Sequence, residues 1–452
     1  MTNQNFIKIS ISTFMLVFIF TIRVSAQESL SLQQAIKIGL ENNFSIQIER
    51  QKQAQATINN TWGQAGALPS VNINAAPSFN QSETNNPLSF GTGPTNRISI
   101  NPSISASWIV FNGFNVQMSK EKLAFLEAQS DGNAAVIVEN TIQAIILAYF
   151  NVLLENERTE VFKSSLKLSK DRYHYSKLKK ELGSAVTFDI LKDKNSYLTD
   201  SSSYISQVFN YKNAVRNLNL LLARDVNQRY EFTDILRIVK KDFSLDELSA
   251  KMTSNNNNLK NQFINQNILK REITIAKSSQ FPQISLNVNG TKSWQHEFYE
   301  TDRVSFINGE KFSNLPSNFR NVSANITLAY TLFNGGIIKN QIKNARIQER
   351  IGTMQIDQLK FSLQNNLVSN FDQYNLRKSL MGISDENLNT AQLNLRLAED
   401  RYKNGSITSF DYRTIQITYL QTALTFYQSI YNLIDTEVEL LRLSGGLMEA
   451  YK

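Results

Sequence analysis

The sequence predicts an α+β membrane protein in which one unit occurs twice: a helix, two strands, a long helix and a return helix. Three observations support this fold class. Motifs recur at a nearly constant spacing, which indicates an internal repeat. Each half contains segments in which apolar and small polar residues alternate, which is typical of strands. Each half also contains a long proline-free segment with helical periodicity.

The composition excludes several classes of site. The chain has 452 residues, no cysteine, and two histidines, His174 and His296, that are far apart in the sequence. Without cysteine there can be no disulfide bonds or thiolate sites, and two distant histidines argue against a zinc site or a Ser-His-Asp triad. The net charge of +8 is not clustered, so nucleic acid is not expected as a partner. We predict no cofactor, no metal and no enzymatic activity.

The N-terminus, residues 1–26, has the pattern of a secretory signal peptide. Lys8 precedes the apolar run Ile9–Ile22, and Val24–Ala26 supplies a small-residue cleavage pattern. The alternative is a membrane anchor, for which the run is short. No other stretch is predicted to span a membrane as a helix, since the best candidate, Ala144–Leu154, is too short. The mature chain is therefore expected outside the cytoplasm, either soluble or crossing a membrane as β-structure.

Paired motifs define the repeat. Ser31, Asn43 and Pro69 recur as Ser244, Asn256 and Pro282. The Phe-Asn-Gly motif at 111–113 and Gly183 recur at a wider spacing, at 333–335 and Gly405, which places an insertion in the second copy after Pro282. The predicted parts are a signal peptide (1–26), a first repeat (27–225), a linker or equatorial segment (226–243), a second repeat (244–446) and a C-terminal tail (447–452).

Each repeat is predicted to open with one helix, at about 31–66 and about 244–279. The Ser-x-x-Gln/Glu motif at Ser31 and Ser244 is typical of a capping box, in which two orphan backbone amides are satisfied reciprocally. The helix should run to just before Pro69 or Pro282.

Two β-hairpins follow, at 70–110 and 283–333. Strict alternation predicts strands with one apolar and one polar face at Val71–Phe79, Ile98–Val110, Ile284–Val288 and Val322–Leu332. The polar segments Asn80–Asn96 and Gln295–Phe319 are predicted to be loops. Four lipid-compatible strands cannot close a barrel, because their edges would leave unpaired amides in lipid. The chain is therefore expected to share a barrel with copies of itself.

The second half of each repeat is helical. A continuous helix over about 115–181 would be about 100 Å long. Gly183 and Gly405 are predicted to end the long helices as left-handed C-cap residues. Return helices should then cover about 184–222 and 406–443. Steps of three and four between apolar residues indicate coiled-coil packing.

With these features the sequence resembles the outer membrane efflux protein family, typified by TolC. The resemblance rests on the repeat order, on the paired Phe-Asn-Gly turns and on the paired glycine–aspartate tips at Gly183/Asp189 and Gly405/Asp411. It implies a trimeric twelve-stranded outer membrane β-barrel, four strands per protomer, continued by a long periplasmic α-helical barrel. The family forms the exit duct of tripartite efflux or type I secretion. A periplasmic adaptor couples that duct to an inner membrane transporter.

The resemblance also implies site residues. Asp189 and Asp411 would lie at the periplasmic mouth, where six carboxylates in a trimer would favour cations. The alternative is that they only complement a helix dipole. Ile407 occupies a position where the resemblance would allow a basic gating partner, and Thr414 one where a second acid could follow Asp411. These two departures from the typical pattern argue against a salt-bridged gate. The tips that would contact the adaptor are Gly183, Ser184, Ala185, Val186, Gly405, Ser406, Ile407 and Thr408. The barrel-to-helix turns are Phe111, Asn112, Gly113, Phe333, Asn334 and Gly335.

Two further interpretations concern the membrane and the alternative function. Trp62, Trp108 and Trp294 fall in or beside the strands and are expected as interfacial anchors in outer membrane lipid, although ordinary packing is an alternative for Trp62. The alternative function is an exported coiled-coil protein with a structural or adhesive role at the cell surface. The duplicated strand pairs argue against it, because a filament has no use for lipid-compatible hairpins.

Overall fold

The computed structural model describes residues 28–84, 93–237, 240–304, 307 and 309–451. The predicted signal peptide lies outside the described residues. The chain divides into two compact units. The helical unit comprises the described residues of Met1–Ile48, Ala135–Asn256 and Ser362–Lys452, and the sheet unit comprises Glu49–Ala134 and Asn257–Phe361. Each predicted repeat contributes residues to both units.

The opening helices are interrupted where the sequence predicted continuous ones. The first is split into α1 (Leu32–Asn42) and α2 (Phe44–Asn59), and its counterpart into α5 (Leu245–Asn255) and α6 (Asn257–Ser278). Both breaks fall at the repeated asparagines. Asn43 leaves the helical conformation and accepts hydrogen bonds at Oδ1 from the backbone amides of Ser45 and Ile46. An asparagine side chain competes in this way with the helical ladder.

The capping box is confirmed in the first copy and wrong in the second. Ser31 accepts from the amide of Gln34, and the Gln34 side chain accepts from the amide of Ser31. Ser244 makes no side-chain capping bond. Glu247 instead pairs with Lys251 one turn along the helix, at 2.7 Å.

The long helices are confirmed. They are α3 (Asn115–Glu181) and α7 (Ile337–Lys403), and each has 67 residues. The return helices are α4 (Thr187–Leu222) and α8 (Ser409–Leu443), which begin three residues later than predicted, and a short helix α9 (Leu447–Ala450) follows. By length and composition α3 could cross a membrane, although no such helix was predicted from the sequence. Its apolar residues Ile142, Ile145, Tyr149 and Val152 lie instead in the core of the helical unit.

A small parallel sheet organises that core. β1 (Glu28–Leu30) pairs with β6 (Tyr230–Phe232), and Leu30 is fully buried. The Tyr149 hydroxyl donates to the carboxylate of Asp234, which also accepts from the amide of Leu32. A side chain at Gly39 would collide with Ile145, so glycine allows α1 to approach α3 closely.

The described residues of the sheet unit form six strands in one antiparallel sheet. They are β2 (Ser70–Asn74), β3 (Pro77–Thr84), β4 (Gly93–Ile100), β5 (Ser103–Asn112), β7 (Gln283–Val304) and β8 (Lys311–Ala329). The order is β2-β5-β7-β4-β3, and β8 pairs with the other edge of β7. The first hairpin is therefore bent, with breaks after Asn74 and before Ser103. Pro102, which has no amide to donate, lies in the second break.

The second predicted loop, Gln295–Phe319, is mostly strand. β7 continues to Val304 and β8 begins at Lys311, with Cα partners from Gln283↔Ala329 to Val304↔Lys311. The first predicted loop, Asn80–Asn96, is likewise shortened, because β3 reaches Thr84 and β4 begins at Gly93. Both segments carry polar residues on the two faces of the strand. They therefore lack the alternation of apolar and polar residues from which strands were predicted. Residues 330–332, predicted as strand, are not part of β8.

Candidate membrane sheet and helix tips

The sheet has two faces of opposite character. On one face Ile284, Leu286 and Val288 of β7 are flanked on β8 by their Cα partners Leu328, Ile326 and Ala324. Ile326 and Leu328 keep 75% and 67% of their surface exposed. The other face carries Ser285, Asn287 and Asn289, and Ser107 donates to Asn287 across the strands at 2.9 Å. An exposed apolar face backed by a polar one is the pattern of a sheet between lipid and water.

The sheet also has open edges. Within the described residues β8 pairs only with β7, β2 only with β5, and β3 only with β4. The unpaired edges run over 19 residues of β8 and along Ser70–Thr84 on the other side. Exposed edges of this length need a partner strand, above all where lipid replaces water.

The tryptophans lie around the apolar face. Trp108 is the Cα partner of Leu286, so it shares a face with Trp294, eight positions further along β7. That separation is about 27 Å along an extended strand, close to the height of an apolar band in a membrane barrel. Trp62 lies after α2, half exposed, with the ammonium of Lys120 5.9 Å from its ring centroid.

The Phe-Asn-Gly motifs stand between sheet and long helix in both copies. Gly113 has φ +67°, and a side chain there would collide with the carbonyl oxygen of Ser278. Asn112 and Asn334 accept at Oδ1 from the amides four residues on, at 3.3 and 3.5 Å, and so cap the helices that follow. The turn in the second copy is less closely packed, since no atom lies within 4 Å of a side chain built at Gly335.

Both long helices end as predicted. Gly183 and Gly405 have φ +78° and +74°. The amide of Gly183 donates to the carbonyl of Lys180 and that of Ser184 to Lys179, and Gly405 and Ser406 repeat this pattern with Tyr402 and Arg401. This is a Schellman motif, in which a left-handed residue satisfies the last carbonyls. Ala185 and Ile407, which are both half-buried, lie just beyond the two motifs.

The two tip aspartates differ in their contacts. Asp411 forms a capping box with Thr408, in which the Asp411 amide donates to the Thr408 hydroxyl at 3.1 Å and the Thr408 amide donates to Asp411 Oδ2 at 3.2 Å. The Thr408 hydroxyl also donates to Asp411 Oδ2, at 2.6 Å. The hydrogen bonds from Thr408 hold the pKa of the Asp411 carboxyl below its usual value. Asp189 occupies the same position in the first turn of α4, but Val186 at the N-cap offers it no side-chain bond. Both aspartates lie in the first turn of a helix, but only Asp411 also forms hydrogen bonds with the N-cap residue.

The structure brings the second turn of α4 and the first turn of α8 together. Ser409 donates to Asp193 Oδ1 at 2.7 Å, and the Lys192 ammonium lies 4.2 Å from the ring centroid of Phe410. Ile407, where a basic partner was considered, packs instead against Ala398, Tyr402 and Tyr412.

A buried polar network beside the tips was not predicted from the sequence. Arg172 of α3 donates from Nε to Asp193 Oδ1 at 2.9 Å and from Nη1 to Gln416 Oε1 at 2.7 Å. Arg413 of α8 pairs in a bidentate manner with Asp200 of α4, two turns beyond Asp193, at 2.7 and 2.6 Å. Burial lowers the pKa of the Arg172 guanidinium, and the Asp193 carboxylate opposes this shift. The network links α3, α4 and α8 through charges.

One signal could have revealed this network. Ser165, Ser169, Arg172 and Ser176 step by four, three and four along α3, and Asp193, Asp200 and Gln207 step by seven along α4. These are coiled-coil seam positions occupied by polar residues. All seven side chains are buried.

Comparison with known proteins gives a family match within the second repeat. Residues 248–446 match the family described as outer membrane efflux protein. The chain carries an outer membrane efflux protein domain. The family predicted from the sequence is confirmed, and with it the prediction that the protein is not an enzyme. The alternative of a coiled-coil surface protein is not supported. No curated protein gives a significant match.

Solved structures agree with the efflux protein fold over both repeats. The Campylobacter jejuni CmeC outer membrane channel is 14% identical, with a TM-score of 0.73, covering 92% of this chain and 86% of that one. The Neisseria gonorrhoeae MtrE outer membrane channel is 16% identical, with a TM-score of 0.71 and coverages of 92% and 89%. The Vibrio cholerae outer membrane protein VceC is 12% identical, with a TM-score of 0.69 and coverages of 92% and 96%. At these identities the likeness establishes the fold.

Proposed function

We propose that this efflux protein is the outer membrane exit duct of a tripartite efflux or type I secretion system. The observation that carries the proposal is the open antiparallel sheet, with one exposed apolar face, in a chain of the outer membrane efflux family. Such a sheet is stable in lipid only if its edges are paired. The protein is then a passive conduit, coupled to an inner membrane transporter through a periplasmic adaptor.

Three copies complete the sheet in this proposal. The bent first hairpin and the β7–β8 hairpin together supply four strand paths, so a trimer closes a barrel of twelve strands. The edge of β8 pairs with Ser70–Thr84 of a neighbouring protomer. The similar solved channels support this arrangement by their fold.

The helical unit supports the same assembly. Leu191, Leu198 and Ile205 repeat every seven residues along α4 and keep 60%, 53% and 68% of their surface exposed. Leu376, Leu380 and Ile383 of α7 are four and three residues apart, as along a coiled-coil seam, and are about half exposed or more. Seam residues without partners inside one protomer suit contacts between protomers. We infer that these stripes pack together in a periplasmic helical barrel.

The tips form the periplasmic mouth in this proposal. Asp189 and Asp411 ring the opening, and the segments 183–186 and 405–408 receive the adaptor. The exposed side chains of Val186, Phe188 and Phe410 give this end an apolar surface. The residues between β3 and β4 and between β7 and β8 face the outside of the cell, since they lie at the ends of the hairpins farthest in sequence from the helices.

Reconstitution of the full-length protein tests the function. The protein should leave outer membranes only with detergent and should conduct ions after insertion into planar bilayers. Extraction by salt or alkali without detergent, together with an absence of conductance, would overturn the proposal.

A further inference from the structure

Two cations stand directly opposite each other on the apolar face of the sheet. Lys292 of β7 and Arg320 of β8 are Cα partners, and both side chains are exposed. Neither has an acidic partner among the residues that the structure describes. Like charges at directly opposed positions repel and weaken a sheet. The polar face pairs Arg97 with Glu297 in the same relationship, so this sheet does place opposite charges together elsewhere.

An apolar notch adjoins the cation pair. Ile73, Ile104, Gly290 and Val322 lie level with one another on four neighbouring strands. Gly290 has no side chain, so the ladder has a gap in its middle. The gap opens into a shallow cavity of about 380 Å³ whose lining also includes Pro102, Lys292, Trp294 and Arg320.

The position of the pair along the strands agrees with a membrane border. The apolar residues of β7 on this face, from Ile284 to Val288, lie toward the helix-proximal end. Lys292 and Trp294 follow Gly290 on the distal side, with the Lys292 ammonium 4.5 Å from the centroid of the Trp294 ring. On β7 and β8 the apolar run of this face ends at the two cations, whereas on β4 it continues through Ile100 and Ile98, the Cα partners of Trp294 and His296. A tryptophan beside cations where an apolar run ends is typical of the headgroup level.

We propose that Lys292 and Arg320 bind the phosphate of a membrane lipid, whose hydrocarbon chain lies in the notch at Gly290. Guanidinium and ammonium groups are strong donors to phosphate oxygens, and an anion between them removes their mutual repulsion. The adjoining apolar cavity and tryptophan ring favour a phosphate that carries a hydrocarbon chain over a free phosphate ion. The inference rests on the proposed function, because it requires this face to contact lipid.

Lipid retention by the full-length protein tests the site. Detergent-purified protein is titrated with phosphatidic acid or phosphatidylcholine in mixed micelles, and bound lipid is counted by native mass spectrometry. The parent should retain phosphatidic acid preferentially. The variant K292Q/R320Q should bind it about tenfold more weakly, a change of about 1.4 kcal/mol. The charge-preserving variant K292R/R320K should bind like the parent.

A matched control removes two exposed cations from the helical unit. K167Q/K170Q should retain phosphatidic acid like the parent. Equal retention by K292Q/R320Q and the parent would overturn the site and leave two ordinary interfacial cations. Displacement of the lipid by inorganic phosphate at similar concentration would show a free-anion site instead. Conductance in planar bilayers separates this inference from the proposed function. If the protein forms channels but does not retain phosphatidic acid selectively, the lipid site is refuted and the proposed function is not.

Discussion

The guanidinium of Arg172 and the carboxylate of Asp193 form an ion pair, 2.9 Å apart, in which the two side chains keep 0% and 3% of their surface exposed. Ser176 and Ser409 also donate to Asp193. Asp193 thus accepts from α3 and from the first turn of α8. A charge pair removed from water is costly to break, because the remaining partner stays buried without compensation.

The first prediction concerns this pair. R172A should destabilise the protein by about 3–5 kcal/mol, since it leaves the Asp193 carboxylate buried and unpaired. The double variant R172M/D193L, which replaces both charges by apolar groups, should lose less. Chemical unfolding followed by helical circular dichroism measures the effect. The control is K163A, which breaks the exposed Lys163–Glu160 pair and should cost at most about 0.5 kcal/mol.

A second prediction concerns the capping box at the α8 tip. T408A should raise the pKa of the Asp411 carboxyl toward its ordinary value, because the hydrogen bonds from Thr408 lower it in the parent. The folded pKa of Asp411 lies below an unfolded value of about 3.9, so its contribution to stability is present above that pH and disappears as the pH falls through the folded pKa. NMR titration of the carboxyl in T408A and parent measures the shift. Identical midpoints would contradict it.

The third prediction concerns the proposed mouth. D189A/D411A should reduce cation selectivity in planar bilayers and weaken block by multivalent cations, since six carboxylates would leave the opening of a trimer. The comparison belongs at low salt, where charge effects are largest. D411A also removes the capping box. D189A alone therefore tests the effect of a carboxylate charge on selectivity without disturbing that helix N-terminus. Unchanged selectivity in both variants would leave the aspartates with a helix-terminal role only.

The fourth prediction concerns the orientation of the hairpins. An epitope inserted after Gly309, between β7 and β8, should be reachable by antibody on intact cells. Gly309 has φ +71° and no atom within 4 Å of a side chain built on it, so the site has room for an insertion. Labelling that requires permeabilised cells would refute the proposed orientation.

The sequence predicted the helices more closely than the strands, for a physical reason. The absence of proline over 115–181 and the left-handed glycines at 183 and 405 determine where a long helix can begin and end, and both long helices were predicted correctly. The distal part of β7 was missed because residues such as Gln295, His296 and Glu297 are polar on both faces. Their strand conformation depends on pairing with β4 and β8, which no local pattern shows.

Polar groups that bond across long distances in the sequence were also missed. Asn43 and Asn256 were recognised as a repeat, but the distant carbonyls to which their side chains donate were not. Asn43 donates to the carbonyl of Leu221 at 2.8 Å and Asn256 to that of Leu443 at 3.0 Å. Arg172 can be buried because its partner Asp193 lies beside it on α4. Tertiary bonds of this kind override local propensity.

The most direct test is the mass of the detergent-solubilised full-length protein, because the account requires the strand edges to be completed by other copies. Native mass spectrometry should give three chains per complex, and the same preparation should conduct ions in planar bilayers. A folded single chain that remains stable in detergent, with unpaired edges at β8 and at Ser70–Thr84, would contradict the account.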